Sequence, residues 1–562
     1  MTRAAVLKSS VRVAVLALVV GFVATPLAAG AATTRTAPRQ WAAQGRLGDV
    51  QLKNEVPLLV DGSKGSTSLV HLIGRVSAPA ELSLNFGLPI TNITGLNALI
   101  VAESRTHRQM SRAQIYARFS PPQAQYNALR TWLQSQGFTV THVGRDRLEM
   151  TAKAPASTIE RALHVTLNAY RERTSVVDGI TVPAHDIYSN VSNPIVPARL
   201  GIQTVTGLSN VGQFFTDLQL QQHTLHPTMP VGGARGGAGR VNPHTRSPGY
   251  YPRDLRSMYD VTNVDNYGTG QTIGFTLWGA GEVQAALTAF ATTTGETALT
   301  DDTPCVATGS PTTPSSCTTI HESSNHLLNV LENGNTNNNY GGNAETGLDV
   351  EVSHGMAPGV AEKYYLADCS TTPSPGLTNG GSCNGSDVGL EDSIEDSAND
   401  PTLHSVSDSW GYGPDPEGGA SDPFIVATNN NQAIAAAAGT TFYCATGDSG
   451  DYWAGYPCDS PYVVGVGGSS IFSTATQSGS STATLSSEDL WAAGGTWCSN
   501  VQARPSWQTG AGVAANADCP GRAIPDLVAD ADTNTAVEEC YSRTATTDSC
   551  GGVGGTSVAA PI

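Results

Sequence analysis

Near its end the chain reads Gly554-Gly555-Thr556-Ser557-Val558-Ala559-Ala560-Pro561, a serine set among glycines and small residues. Glycines let the backbone approach closely, and a serine followed by small residues can open a buried helix against a strand. Such a helix start puts the hydroxyl near backbone donors and a positive dipole end, which suits a nucleophile. Alone, Gly-Thr-Ser also fits an ordinary turn and cap. A serine nucleophile needs a base, usually histidine. His321, His326, His354 and His404 stand in the same half of the chain. A Ser-His-Asp triad on a parallel α/β scaffold also needs an aspartate ending an early strand, and the strand expected over 273–277 runs instead into Trp278-Gly279.

Carboxylates offer a different base. In Glu345-Thr346-Gly347-Leu348-Asp349 the two acids are spaced i and i+4, so a helix presents both on one face. Two close carboxylates share a proton and titrate as a pair. One of them can then accept a proton at acid pH, where histidine is already charged. An isolated ExxxD is usually a pair of solvated surface charges. Gly347 inside the helix costs about 1 kcal/mol against alanine, which hints at close packing or function. A third acid, Asp448, lies in Phe442-Tyr443-Cys444-Ala445-Thr446-Gly447-Asp448-Ser449-Gly450. Ser449 invites a chymotrypsin-like reading, but neither Gly-Asp-Ser-Gly-Gly-Pro nor an upstream Ala-Ala-His-Cys occurs. At the end of a buried strand a protonated Asp448 could donate a hydrogen bond to a developing oxyanion. On its own the segment reads more simply as a turn aspartate capping its own backbone.

Taken together, Glu345-x-x-x-Asp349 with Gly355-Met356-Ala357-Pro358-Gly359, Ser409-Trp410-Gly411, Ala445-Thr446-Gly447-Asp448-Ser449-Gly450, Pro525-Asp526-Leu527-Val528-Ala529 and Gly555-Thr556-Ser557 follow one order. That order resembles the sedolisin, or serine-carboxyl peptidase, family in its kumamolisin-like form. Tyr251-Pro252-x-x-Leu255-Arg256-x-x-Tyr259 fits a domain opening of that family, and 110–141 looks like part of its activation domain. The resemblance covers the chain from about residue 75 onward. It implies that Ser557 attacks the scissile carbonyl, Glu345 takes its proton, Asp349 orients Glu345 and shares its charge, and Asp448 stabilises the oxyanion. Ser409, Trp410 and Gly411 would lie along the substrate-binding edge. The implied fold is subtilisin-like, preceded by an α+β ferredoxin-like prodomain that blocks the cleft. Calcium is implied as well, but its ligand segment would follow the serine helix, and the sequence stops at Ile562. The peptidase domain is therefore expected to be truncated here, and no metal ligand is assigned.

Elements must position these residues. Over 47–210 the pattern is mixed α/β. Ser120 reads as an N-cap with Pro121 at the first helical position and Gly137 as the stop, and Tyr126, Leu129 and Leu133 share one face. Strands are expected over 138–143, 147–152 and 165–170, and Ser157 with Glu160 makes a capping-box pattern for a second helix. This composes a small α+β sandwich. Residues 221–248, rich in Gly and Pro with Arg235, Arg240 and Arg246, read as a cleavable linker. From 249 to 562, apolar strands over 272–277, 360–366, 405–409, 441–446 and 462–466 alternate with helical segments over 345–354 and 429–438. That alternation predicts an α/β domain with a largely parallel sheet.

The N-terminus reads as a signal peptide over 1–31: Arg3, Lys8 and Arg12, a short apolar run over 13–23, then Ala29-Gly30-Ala31. The run falls short of the roughly 20 residues a membrane span needs, so an exported, extracellular protein is expected, with no membrane partner after signal removal. All ten cysteines lie between Cys305 and Cys550, which suits disulfides in an exported chain. Neighbours could pair as 305–317, 369–383, 444–458, 498–519 and 540–550, but sequence does not fix connectivity. A zinc site is disfavoured because no CxxC or paired His accompanies them. Residues 1–250 hold 24 Lys and Arg against 12 Asp and Glu, while 251–562 hold 6 against 36. The simplest reading is that the basic half shields the acidic half until acidification weakens the attraction. Nucleic acid is excluded as partner by the acidic remainder and the lack of aromatic interleaving. Polypeptide substrates and the chain's own prodomain, as inhibitor and chaperone, are the expected partners. The alternatives are a tripeptidyl-peptidase of the same family, a subtilisin-like protease with a histidine base, and a secreted binding protein that keeps the scaffold without catalysis.

Overall fold

A computed structural model describes residues 48–562 apart from 54–55, 58–69, 174, 178–179, 183–185, 217–218, 221–248, 263, 280–282, 308–311, 336–342, 369–386, 414–418, 451–454, 474–482, 515–517 and 545–546. The expected signal peptide and linker, and the cysteines Cys369 and Cys383, lie outside the described residues. No described helix is long and apolar enough to cross a membrane.

In the N-terminal part, alternation along Glu81–Gly87 and Glu149–Pro155 sends Leu82, Leu84, Phe86, Met150, Ala152 and Ala154 into one core. With Thr139–Val143 and Thr204–Thr206 these strands make an antiparallel sheet. Its spatial order, counted along the chain, is 4-1-3-2, the order of a ferredoxin-like sandwich. Helices Gln123–Gln136 and Ala156–Leu163 supply Tyr126, Leu129, Leu133, Ile159 and Leu163 to the same core.

Local cap signals fit less well. Ser120 is not an N-cap: it ends the helix Arg112–Phe119, whose own capping box is Ser111 with Gln114, and Pro122 precedes the next helix. Ser157 and Glu160 form no capping box, because the helix already starts at Ala156 after Pro155. Glu160 instead accepts from Leu167 N at 2.8 Å. The strand expected over 165–170 is Leu167–Glu172, and it belongs to a separate sheet with Val70–Arg75 and Asp186–Asn190.

The C-terminal part holds the large sheet. Its parallel strands run in the order His326–Leu331, Ala361–Ala367, Thr272–Trp278, Leu403–Asp408, Thr441–Ala445 and Val463–Ser473. Leu485–Leu490 adds an antiparallel edge, and Leu527–Asp530 pairs in parallel with Val463–Ser473. Phe275, Leu277, Leu328, Val330, Tyr364, Leu366, Val406 and Phe442 make its core. Helices Asn343–Met356 and Pro423–Ala438 connect strands as expected. A third helix, Asp387–Asn399, has no counterpart among the expected elements, and every residue along it from Val388 on is buried. Four of the five neighbouring cysteine pairs are disulfides: 305–317, 444–458, 498–519 and 540–550.

The two parts meet at that third helix. The second face of the N-terminal sheet carries polar residues, and Thr151, Thr206 and His142 are all buried against Asp387–Asn399. Thr151 Oγ1 donates to Asp392 at 2.5 Å, and Thr206 Oγ1 donates to Glu391 at 2.7 Å. Charge complementarity takes an unexpected form. Arg112 donates to the carbonyl oxygens of Ala398, in the last turn of the acidic helix, and of Asp400 just after it, where the dipole is negative. Arg145 donates to Ser315 O and Thr318 Oγ1. Among the described residues the ion pairs joining the two parts belong to His142. The guanidinium groups of Arg112 and Arg145 therefore dock through backbone carbonyls and hydroxyls.

Candidate active site

Ser557 opens the short helix Thr556–Ala559 after Gly555, whose φ of 121° favours glycine at this junction. Its side chain is buried, and Oγ makes no hydrogen bond. Asp448, just beyond the strand Thr441–Ala445, reaches across to this helix. Its Oδ1 accepts from Thr556 N at 2.7 Å and from Thr556 Oγ1 at 3.0 Å. Gly447 N donates in turn to Thr556 Oγ1 at 2.9 Å. Burial pushes the Asp448 carboxyl up to about 7, against the pull of the two Thr556 hydrogen bonds. Asp448 is thus protonated in mild acid and is bonded to the residue that precedes Ser557.

Glu345 and Asp349 both lie on Asn343–Met356 and both are buried, at 2% and 0% exposure, so they are not a solvated surface pair. Leu348 and Val352 of that helix share a core with Val558, which packs it against the serine helix. Asp349 is held at both oxygens: Ser409 Oγ donates to Oδ1 at 2.6 Å and Tyr364 OH to Oδ2 at 2.5 Å. Burial raises Asp349 to about 7, while these two donors oppose the shift. Gly347 faces the strand Val537–Thr544, but an added Cβ would meet Cys540 O and Glu539 Oε1 at 3.7 Å, ordinary contact. Steric need does not explain this glycine.

Ser409 proves to be an orienting partner of Asp349, while Trp410 and Gly411 lie on the strand Trp410–Gly413. The N-terminal part covers this strand: Gln213–Thr216 pairs with it antiparallel, Thr216 opposite Trp410 and Phe214 opposite Tyr412. Phe214 stacks on Tyr412 at 4.9 Å and meets Phe424, Trp410 and Trp278 edge-on or tilted at 5.3, 5.9 and 6.1 Å. Gln219–Leu220 then pairs with Gly554 and Val553, directly before Gly555-Thr556-Ser557.

The histidines are placed elsewhere. His354 Nε2 meets the Thr297 carbonyl at 2.9 Å, and burial lowers its pKa. His326 is held by Asp302, and His321 and His404 are exposed. Sequence reasoning missed Tyr364, Thr556 and two further buried acids. Asp408, next to Ser409, takes the Thr276 hydroxyl and is pushed up to about 7 by burial, with Asp349 adding to the shift. Glu539 is raised by burial and then by the charge of Asp349. A strand-end Asp preceding Ser-Trp-Gly was the available signal for Asp408. Among the described residues two groups combine histidine with carboxylates, His142/Glu395/Asp396 and Asp302/Glu322/His326. Each contains an imidazole and neither fits an all-oxygen calcium cage.

Residues 70–211 match the family described as "Pro-kumamolisin, activation domain", and residues 331–562 match the "Subtilase family". The chain is 25% identical over 560 residues to sedolisin of Pseudomonas sp. (strain 101), spanning 95% of this chain and 81% of that one. It is 31% identical over 235 residues to kumamolisin of Bacillus sp. (strain MN-32), spanning 40% of this chain and 38% of that one. A solved structure of Pseudomonas sedolisin complexed with two molecules of pseudo-iodotyrostatin aligns at 22% identity and a TM-score of 0.42, covering 56% of this chain and 78% of that chain. The chain thus carries a pro-kumamolisin activation domain followed by a subtilase-family peptidase domain, and it is similar to sedolisin over nearly its whole length.

Proposed function

We propose that the chain is the precursor of a secreted, acid-active endopeptidase in which Ser557 attacks the scissile carbonyl. Glu345 takes the serine proton, Asp349 holds and shares charge with Glu345, and protonated Asp448 donates to the oxyanion of the tetrahedral intermediate. The acyl-enzyme is then hydrolysed by water activated through the same carboxylate pair. The observation that carries this reading is the attachment of Asp448 to Thr556, which sets a carboxyl group of raised pKa beside the nucleophile. The carboxylate-lined helix packed on the other side supports it. The precursor, expressed from its full reading frame and incubated at about pH 4, close to where a free glutamate side chain titrates, is expected to process itself and to cleave denatured protein. Ser557→Ala and Glu345→Ala are expected to do neither; cleavage persisting in both would overturn the assignment.

Latency in this reading comes from the strand Gln213–Thr216, which occupies the edge a substrate strand would use. Its anchor is Phe214, buried at 5% exposure among four aromatic rings of the peptidase domain. Truncating a buried Phe to Ala costs about 3–5 kcal/mol, or roughly 10²–10⁴-fold in an equilibrium constant. The uncleaved Phe214→Ala precursor is therefore expected to leak activity on a short peptide substrate and to mature faster than the unsubstituted precursor. Equal latency of the two would remove this strand from the inhibitory role.

A further inference from the structure

The activation domain meets the peptidase domain at a buried cluster of ligand atoms that peptide hydrolysis does not use. His142 Nε2, on the strand Thr139–Val143, stands 3.0 Å from Glu395 Oε2 and 4.0 Å from Asp396 Oδ1. Ligand atoms of these three residues all lie within 4.8 Å of one another, and all three side chains are buried. Both oxygens of Asp396 and both of Glu332 are buried and accept from no N–H or hydroxyl. The two carboxyl groups face each other instead. Glu395 is already oriented: its Oε1 takes Arg145 N at 2.9 Å and Asn399 Nδ2 at 2.7 Å, which leaves Oε2 turned to His142.

Positive charge is short here. Asp392, Glu395 and Asp396 surround His142, with Glu332 against Asp396, while the Arg145 guanidinium is turned away to Ser315 O and Thr318 Oγ1. His142 Nδ1 has no partner, and against the lowering effect of burial Asp392, Asp396 and Glu395 hold the ring's protons well above the usual histidine range, so a metal ion here would take the place of the Nε2 proton. Buried carboxylates in such excess need a compensating cation. Ligands of a tetrahedral zinc ion, at about 2.0–2.1 Å from the metal, stand roughly 3.3 Å apart. The two His142 distances bracket that spacing.

We propose that this cluster binds one divalent transition-metal ion of the zinc class, through His142 Nε2, Glu395 Oε2, Asp396 and Glu332. Imidazole with carboxylates suits zinc and its neighbours, and the imidazole disfavours calcium or magnesium. Because His142 comes from the activation domain and the three acids from the peptidase domain, the ion pins one to the other. The second cluster, Asp302, Glu322 and His326, is only half-buried and lies within the peptidase domain, which makes it the control.

The test uses the full-length Ser557→Ala precursor, in which the two domains stay joined, after dialysis against a chelator. Calorimetric titration with Zn²⁺ at neutral pH is expected to show one equivalent bound. His142→Gln and Asp396→Asn, made separately, are each expected to weaken binding at least tenfold, and His326→Gln to leave it unchanged. Removing the metal is expected to speed amide exchange in residues 139–155. Absence of stoichiometric binding, or binding lost with His326→Gln and kept with His142→Gln, overturns the proposal in favour of carboxyl groups that share protons alone. Should the His142 and Asp396 variants fail to fold, Co²⁺ added to the Ser557→Ala precursor decides. A tetrahedral absorption band at one equivalent supports the site, and its absence overturns it.

Discussion

Glu345→Gln is expected to slow self-processing of the precursor at about pH 4 by roughly 10⁴-fold or more, the scale set by removing the base of a serine-peptidase triad. Glutamine keeps the shape of the side chain and the helix that carries it, but it cannot take the proton of Ser557. Helix Asn343–Met356 is anchored by Leu348 and Val352 in a core shared with Val558, so the packing around the nucleophile should survive the change. His354 provides the opposing measurement. It lies nine residues further along the same helix, and its ring is tied to the Thr297 carbonyl. His354→Gln is expected to process within about tenfold of the unsubstituted rate, since its effect passes only through stability. A subtilisin-like enzyme with a histidine base predicts the reverse order. If His354→Gln were the inactive variant and Glu345→Gln the active one, Ser557 would have to draw its base from elsewhere in the cleft.

The acid pair was legible because it depends on spacing. An acid pair at i and i+4 needs only a helix to become a facing pair, and Asn343–Met356 supplies it. Strand cores were legible for a similar reason: runs such as Thr272–Trp278 are mostly apolar because both faces are covered. Helix Asp387–Asn399 was not legible. Glu391, Asp392, Glu395 and Asp396 occur in a pattern that reads as solvated surface, yet all four are buried beneath the activation domain. Single-chain periodicity cannot distinguish a face turned to water from one turned to a polar partner. The same holds for His142, Thr151 and Thr206, polar residues of the N-terminal sheet that are buried where it docks. Tyr364 and Ser409 escaped notice as partners of Asp349 because they reach its helix from a strand and a strand end 15 and 60 residues away in sequence. Local caps failed where neighbouring helices competed for the same residues, as Ser120 shows by ending one helix just before the next begins.

Asp448→Ala is expected to lower kcat by about 10²–10³-fold with little change in KM, the usual loss when one oxyanion donor is removed. The distinguishing result lies in the pH profile. Burial raises Asp448 to about 7, so its protonated, donating form persists through mild acid and disappears as pH rises past that value. The sign follows directly: activity that needs the Asp448 proton is present below about 7 and lost above it. Asp349 rises to about the same value, so the alkaline limb reports the carboxylates together and has to be separated by substitution. Asparagine makes that separation. Its amide oxygen can keep the two Thr556 hydrogen bonds, and its N–H₂ donates at every pH. Asp448→Asn should therefore retain more activity than Asp448→Ala and extend its alkaline limb beyond that of the unsubstituted enzyme. An unmoved limb would assign the controlling proton to the Glu345/Asp349 pair. A kcat untouched by Asp448→Ala would leave the oxyanion to backbone donors at the start of the serine helix, and the role of Asp448 would shrink to holding Thr556 in place.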